Sequence, residues 1–219
     1  MSNFTEESTA TEVAATLASH IAGKVILITG CSPNGLGETA VTAIASHNPS
    51  LVILTGRKRA LIEETEKSLL AKIPNLNTRL LIFDLGDLKS VRAAAAEVNQ
   101  YLEKIDILIN NAGIMASPFE KTVDGFESQF GINHLGPFLF TMLVVGKLNR
   151  GGRVVNISSA AYAWGGVRFE DPNFEVPSRQ DSPVHFYPRL TNKAVWRLRP
   201  VQVLCTVKDR EHSFLFRFR

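Results

Sequence analysis

Lys24-Val25-Ile26-Leu27-Ile28-Thr29-Gly30-Cys31-Ser32-Pro33-Asn34-Gly35-Leu36-Gly37 is the stretch that decides the fold of this chain. It opens as an apolar, β-branched run of strand length. It breaks into glycines and resumes as the helix-forming Glu38-Thr39-Ala40-Val41-Thr42-Ala43-Ile44-Ala45. Strand, tight glycine turn and helix start together make a grip for a phosphate group. Gly30 permits a sharp turn off the strand end. Gly35 and Gly37 carry no Cβ, so backbone N–H groups can approach a pyrophosphate closely. The helix N-terminus adds a partial positive charge. Read alone, the same stretch is also compatible with a plain strand-to-helix turn.

Downstream, the pattern repeats. His47-Asn48-Pro49-Ser50 breaks the first helix, and Leu51-Val52-Ile53-Leu54-Thr55 is a second buried strand. A helix over 58–72 ends at Ile73-Pro74-Asn75. Leu80-Leu81-Ile82-Phe83 is a third strand, and Asp87 caps a helix that reaches Glu103. Ile105-Asp106-Ile107-Leu108-Ile109 is a fourth strand. A long helical region over 126–148 is interrupted by Gly131, Gly136 and Pro137. Asn149-Arg150-Gly151-Gly152 is a turn, and Arg153-Val154-Val155-Asn156-Ile157 is a fifth strand. Each strand is a nearly continuous apolar run, as expected where helices cover both faces of a parallel sheet. The fold class is therefore α/β, a doubly wound parallel sheet. Thr29, Thr55, Asp84, Asn110 and Ser158 all stand where strands end, on the sheet edge where ligands bind in such folds. Asp106 reads as a solvated strand-edge charge, His134 as packed against helix neighbours and His185 as solvated.

The 219 residues are 45% hydrophobic and 21% charged, enough for one sizeable core. Net charge is +3, but residues 197–219 hold six basic against two acidic side chains. The body thus lacks a basic stripe, which argues against a nucleic-acid partner. No apolar window is long enough for a membrane span, and the first 20 residues do not read as a secretory signal. Two cysteines in unrelated contexts fit a reducing, cytoplasmic setting. Residues 1–22 read as a flexible leader or a short amphipathic helix. Residues 23–190 form the nucleotide-binding domain, and 191–219 a divergent basic and aromatic tail.

Thr29-Gly30, Gly35-Leu36-Gly37, Asp84-Leu85, Asn110-Asn111-Ala112-Gly113, Asn133-His134-Leu135-Gly136 and Val154-Val155-Asn156-Ile157-Ser158-Ser159 occur in this order over about residues 24–175. In this set the chain resembles the short-chain dehydrogenase/reductases, and within them the retinol-dehydrogenase-like branch common in fungi. One departure is a glycine loop longer by one residue than the family's usual spacing. The resemblance implies a Rossmann fold and hydride transfer between a nicotinamide and a small-molecule carbonyl or alcohol. It implies that Gly30, Ser32, Gly35, Leu36 and Gly37 wrap the cofactor pyrophosphate and ribose. Asp84, with Leu85 beside it, would meet the adenine amino group. Asn110, Ala112 and Gly113 would line the nicotinamide-side ribose. Ser159 would bond the substrate carbonyl, with Ser158 a structural hydroxyl, and Asn133 would hold the catalytic lysine through a water. The family also admits a homo-oligomer.

After the second strand the sequence reads Thr55-Gly56-Arg57-Lys58-Arg59, without the acid that accepts from the ribose 2′-OH of NAD. Arg57 is placed to pair with a 2′-phosphate, so the expected cofactor is NADP. The family's chemistry needs Tyr-x-x-x-Lys, which puts a tyrosine and the lysine that lowers its pKa on one helix face. Here Tyr187 and Lys193 are six apart with Pro188 between them. Six residues rotate about 600° around a helix, so these side chains do not share a face. Tyr162 is too early for this branch. Tyr162, Trp164 and Phe169 either line an apolar pocket or pack in their loop. From residue 191 onward only 201–207 is strand-like, and Phe214-Leu215-Phe216-Arg217-Phe218-Arg219 alternates aromatic and basic residues. The chain therefore reads as truncated or altered after about residue 190 relative to that family. Three functions stay open: an NADP-dependent oxidoreductase, a non-catalytic NADP-binding or interaction protein, and an incomplete gene product.

Overall fold

The computed structural model describes residues 4–5, 7–115, 117–159 and 169–175, together with the backbone of 201–204 and 215–218. Five parallel strands form the body of the sheet: β1 (Val25–Ile28), β2 (Leu51–Gly56), β3 (Thr78–Ile82), β4 (Ile105–Asn110) and β5 (Leu148–Ile157). Their order is β3-β2-β1-β4-β5, so β1 is central and the chain reverses direction across the sheet beside it. The glycine turn after β1 lies at that reversal, where open α/β sheets bind ligands.

Two further strands, β6 (Val201–Leu204) and β7 (Leu215–Phe218), extend the sheet antiparallel beyond β5. The first lies within the strand-like run at 201–207. The second occupies the aromatic and basic end, which the sequence pattern did not assign as a strand.

Alternation along β1 explains the layers. Val25 and Leu27 enter the core on one face, with Val91, Val98, Phe140 and Val144 of helices α5 (Leu88–Gln100) and α7 (Gly136–Val144). Ile28 faces the other side, with Val41 and Ala45 of α3 (Leu36–Ala45) and Ile62 and Leu69 of α4 (Arg59–Lys72). Ile26 on that same side meets Ala14 and Ile21 of the leader and Ala43 of α3. The leader is thus helical, as α1 (Ala10–Thr16) and α2 (Ala18–Ile21). Thr9 and Glu12 close a reciprocal capping box at its start.

Asp87 caps α5, its carboxylate accepting from the N–H groups of Lys89 and Ser90. The expected long helix is a composite. A short α6 (Ser128–Phe130) passes through a π-helical turn at Gly131–Leu135 into α7. Gly136 and Pro137 do not break it, because proline is tolerated in a first helical turn. The expected turn at 149–152 survives as a bulge inside β5. Leu148 pairs with Ile105, but Arg153 already pairs with Ile107.

Asp106 corrects one expectation. It is not a solvated charge: its side chain is 17% exposed and 3.6 Å from Lys24 Nζ. One carboxylate oxygen accepts from the Val25 N–H at 2.9 Å, the other from Asn149 Nδ2 at 2.9 Å. It pins the β1 entry to the β5 bulge at the sheet edge opposite the glycine turn. The cause is a long-range donor pair that the strand pattern does not encode.

Phe140 is fully buried and stacks on Phe83 with ring centroids 4.8 Å apart. Phe140→Ala is expected to cost about 3–5 kcal/mol, read as a lowered urea midpoint with an unchanged slope.

Candidate functional site

The glycine turn is held from both neighbouring strands. From β2, the Thr55 carbonyl accepts from the N–H groups of Gly30 (3.1 Å) and Cys31 (2.9 Å). From the end of β4, the Asn111 side-chain amide donates to the carbonyls of Thr29 (2.8 Å) and Gly30 (3.2 Å). The buried Thr29 hydroxyl accepts from the backbone N–H groups of both Asn111 and Ala112 at 3.0 Å. Gly30 has φ +77°, and a Cβ there would stand 2.8 Å from Ala112 Cα. A Cβ on Gly37 would stand 2.2 Å from the Gly30 carbonyl oxygen. Gly37 is therefore required first for seating α3 on the turn.

Gly35 is the N-cap of α3 and provides no capping side chain. Its N–H donates to the Ser32 carbonyl at 3.3 Å. Glu38 reaches back to accept from the Asn34 N–H at 2.6 Å, which holds Asn34 in its left-handed conformation (φ 60°). Leu36 is exposed on the same rim. The Thr65 hydroxyl of α4 donates to the Cys31 carbonyl at 2.7 Å. The Cys31 thiol is fully buried, and that burial pushes its pKa up to about 12.

One strand outward, Arg57 follows β2 and Asp84 follows β3. Arg57 Nη1 lies 3.8 Å from Asp84 Oδ2. Asp84 Oδ1 also accepts from the Gly86 N–H at 2.8 Å, so the residue closes its own turn as well as facing the rim. Leu85 is buried in the core beneath. Lys58 is the N-cap residue of α4, and Arg59 pairs with Glu63.

On the other side of β1, Asn110 is 7% exposed. Its amide donates to Thr141 Oγ1 of α7 (2.9 Å) and to Asn156 Oδ1 of β5 (2.8 Å), bracketing the strand ends from below. Asn110 Oδ1 is buried with no hydrogen-bond partner. Asn133, in the π turn, forms a closed pair with the Ile114 backbone: Oδ1 accepts from its N–H and Nδ2 donates to its carbonyl, both at 2.8 Å. That pair carries Gly113 against the helix, since a Cβ on Gly113 would meet Asn133 Oδ1 at 3.3 Å. A π turn at such a position is common near functional sites. Ser158 and Ser159, both half-buried, follow β5 on this same edge. His134 stacks between Phe130 and Phe138, as its helix position implied.

The loops after β4 and β5 are tied together. Lys121 Nζ pairs with Glu175 Oε1 at 2.6 Å, and the Glu127 N–H donates to Asn173 Oδ1 at 2.8 Å. Buried Glu127 in turn caps α6 through the N–H groups of Gln129 and Phe130. Phe169 is 87% exposed on the second loop. Tyr162, Trp164, His185, Tyr187 and Lys193 lie outside the described residues. The structure thus gathers Gly30, Ser32, Gly35, Leu36, Gly37, Arg57, Asp84, Asn110, Ala112, Gly113, Asn133 and Ser159 along one sheet edge.

The fit to a nicotinamide dinucleotide rests on that edge. It offers a glycine turn packed so closely that a Cβ at Gly30 or Gly37 would collide with neighbouring backbone, a helix N-terminus whose cap residue brings no side chain, and a cation one strand away. Among the described residues no group of His, Cys, Asp or Glu side chains could hold a metal ion, and no helix is long and apolar enough to cross a membrane. The clamp residues Thr29 and Asn111 were visible in the motif without their partners. Thr65, 34 residues from Cys31, left no signal in the sequence.

Thr29→Val is expected to strand the two half-buried N–H groups of Asn111 and Ala112 at about 1 kcal/mol each or somewhat more, whereas Thr29→Ser should stay within about 1 kcal/mol of the parent. Urea unfolding of the two variants checks this. Cys31 in a Cys205→Ser chain should resist thiol reagents until the protein unfolds. Its folded pKa lies above the unfolded value of 9.0, so its contribution to stability is complete below pH 9 and declines as pH rises towards about 12. Labelling kinetics and the alkaline limb of a stability profile measure both.

The short chain dehydrogenase family profile matches residues 24–169. The chain is 36% identical over 193 residues to oxidoreductase fscI from Fusarium equiseti, covering 81% of this chain and 75% of that protein. It is 38% identical over 158 residues to human retinol dehydrogenase 13, covering 71% of this chain and 47% of that one. The chain thus spans about half the length of that retinol dehydrogenase. Among solved structures, an uncharacterized protein from Mycobacterium paratuberculosis is similar at TM-score 0.63 and 37% identity, covering 77% of this chain and 57% of that chain. A blue fluorescent protein from a metagenomic library, solved with NADPH, is similar at TM-score 0.54 and 28% identity, covering 65% and 58%. A glycine turn seated at the switch point of a doubly wound sheet, the motifs that follow it in order, and these likenesses agree: the chain belongs to the short-chain dehydrogenase family, an oxidoreductase family that binds a nicotinamide cofactor.

Proposed function

We propose that this chain is an NADP-dependent oxidoreductase that transfers a hydride between nicotinamide and a carbonyl or alcohol carbon. The observation that carries the cofactor choice is Arg57, a cation at the end of β2 on the same rim as the glycine turn, with no acid in the segment that follows the strand. An acid there would repel a 2′-phosphate, whereas a guanidinium binds it with paired charge-assisted hydrogen bonds. NADPH in the fluorescent relative supports the same choice. Cysteine usage supports a reducing, cytoplasmic setting.

When bound, the nucleotide supplies the hydride chemistry. The chain's own residues then do the following. Gly30, Ser32, Gly35, Leu36 and Gly37 hold the pyrophosphate and ribose. Arg57 takes the 2′-phosphate, and Asp84 with Leu85 holds the adenine end. Ala112 and Gly113 line the nicotinamide-side ribose, with Asn110 bracing their strand. Ser159 donates to the substrate oxygen. Asn133 supports the lysine, and Tyr187 and Lys193 are the side chains assigned to the proton on that oxygen. Met115, Phe119, Phe169 and Phe174 are exposed on the loops after β4 and β5. Together with relatives named retinol dehydrogenases, they favour an apolar substrate.

A second reading, an NADP-binding protein without turnover, is favoured by the six-residue spacing of Tyr187 and Lys193. Titration with NADPH followed by a panel of aldehydes, ketones and alcohols separates the two. Binding with turnover supports the oxidoreductase, binding without turnover supports the second reading, and no binding at millimolar nucleotide overturns both. Arg57→Gln should weaken NADPH by about tenfold, ~1.4 kcal/mol, while leaving NADH nearly unchanged.

A further inference from the structure

Arg57 and Asp84 leave the same edge of the sheet from neighbouring parallel strands, β2 and β3, whose ends are in register with Gly56 opposite Ile82. The two side chains are not equally free. Asp84 Oδ1 accepts from the Gly86 N–H at 2.8 Å, and its own N–H donates to Ser90 Oγ at 3.0 Å, in the first turn of the capped helix α5. Arg57 is 64% exposed, and the described contacts give its guanidinium one charged partner, Asp84 Oδ2 at 3.8 Å. A fixed carboxylate thus faces a movable cation.

We propose that Asp84 sets the nucleotide preference of this site by competing with the 2′-phosphate for Arg57. The inference rests on the NADP reading above. At 3.8 Å the pair lies beyond hydrogen-bond distance, and exposed pairs of this kind hold weakly. A phosphate with several acceptor oxygens outcompetes it for the guanidinium. Once Arg57 turns to the phosphate, Asp84 stays where Gly86 and Ser90 hold it, as a like charge beside the ligand. NAD brings no charge to that position and leaves the Arg57–Asp84 pair intact. Asp84 therefore restrains the preference that Arg57 creates, and the site accepts both nucleotides with a moderate bias. A repulsive group beside an attractive one is a general way to set such a difference.

The test is the ratio of NADPH to NADH affinity, measured by titrating the full chain with each nucleotide. Asp84→Asn keeps the oxygen that accepts from Gly86 and removes the charge. It should raise the NADPH/NADH preference about fivefold, ~1 kcal/mol. In an Arg57→Gln background only the like-charge repulsion remains, so the same substitution should move the ratio clearly less than in the parent, and the difference is the coupling a double-mutant cycle reports. NADH binding in each variant shows that the site is folded. If Asp84→Asn weakens both nucleotides equally, Asp84 is an adenine contact and nothing more, and the proposal falls while the NADP reading stands. If the ratio shifts by the same factor with and without Arg57, competition for the guanidinium is excluded. If neither nucleotide binds the parent chain, the NADP reading itself fails and takes this inference with it.

Discussion

The Thr29 hydroxyl and the Asn111 amide hold the rest of the site in register. A parallel sheet leaves its strand ends as separate loops, with nothing in the ladder to fix one loop against the next. Here a hydroxyl just after β1 accepts two N–H groups from the segment after β4, and an amide from that segment returns two bonds to the Thr29 and Gly30 carbonyls. The Thr55 carbonyl fixes the turn from the β2 side. These bonds are largely screened from water, since Thr29 and Thr55 are buried. Their loss would leave polar groups with no replacement partner, which costs more than the bonds contribute when made. The turn is therefore rigid before any ligand arrives, and a rigid cradle spares the ordering cost that a flexible loop would impose on binding.

The electrostatics of the rim divide along the same strands. Near β1 the attraction for an anion comes from backbone N–H groups and the α3 N-terminus, which cannot move away. Glu38 already lies against the Asn34 N–H at that helix start, showing that the position favours a carboxylate. One strand outward the attraction comes from a side chain, Arg57, whose position depends on its neighbours. In the proposed reading, pyrophosphate recognition is built into the backbone, while discrimination at the 2′ position rests on side chains. The first is common to any nucleotide of this class. The second can be altered by single residues.

The fold was legible because burial on both faces turns each strand into an apolar run, and because glycine, asparagine and aspartate mark the strand ends. The motifs placed Gly30, Arg57, Asp84 and Ser159 on one edge correctly. What the sequence pattern missed shares a physical cause. Asp106 looked like a solvated charge because its partners, the Val25 N–H and Asn149, lie far away in sequence. Gly37 has a close contact with the Gly30 carbonyl, a helix-to-turn approach that composition does not reveal. Asn110 stands at the end of β4, and the commitment of its amide to Thr141 and Asn156 is a pairing that the motif does not show. The π turn at Gly131–Leu135 has no periodic signature of its own, since one widened turn leaves the apolar spacing nearly unchanged. Local pattern gives the elements and their ends. Side-chain pairing across 30 to 80 residues decides what each end residue does.

The two halves of the chemistry therefore differ in how they can be lost. The proposed nucleotide grip is assembled from the ends of β1, β2, β3 and β4, strands that also contribute to both main clusters of the core. A change that abolished the grip would disturb packing as well, so it is protected by the stability of the fold. The proposed proton transfer depends instead on a tyrosine and a lysine, which need to stand one helical turn apart to act together. That spacing carries no packing burden for strands β1 to β4. The six-residue spacing of Tyr187 and Lys193, in place of the four that one helix face needs, bears on the proposed proton transfer alone. Under the proposed function, cofactor binding and turnover are therefore separable, because the residues assigned to each stand in different parts of the chain.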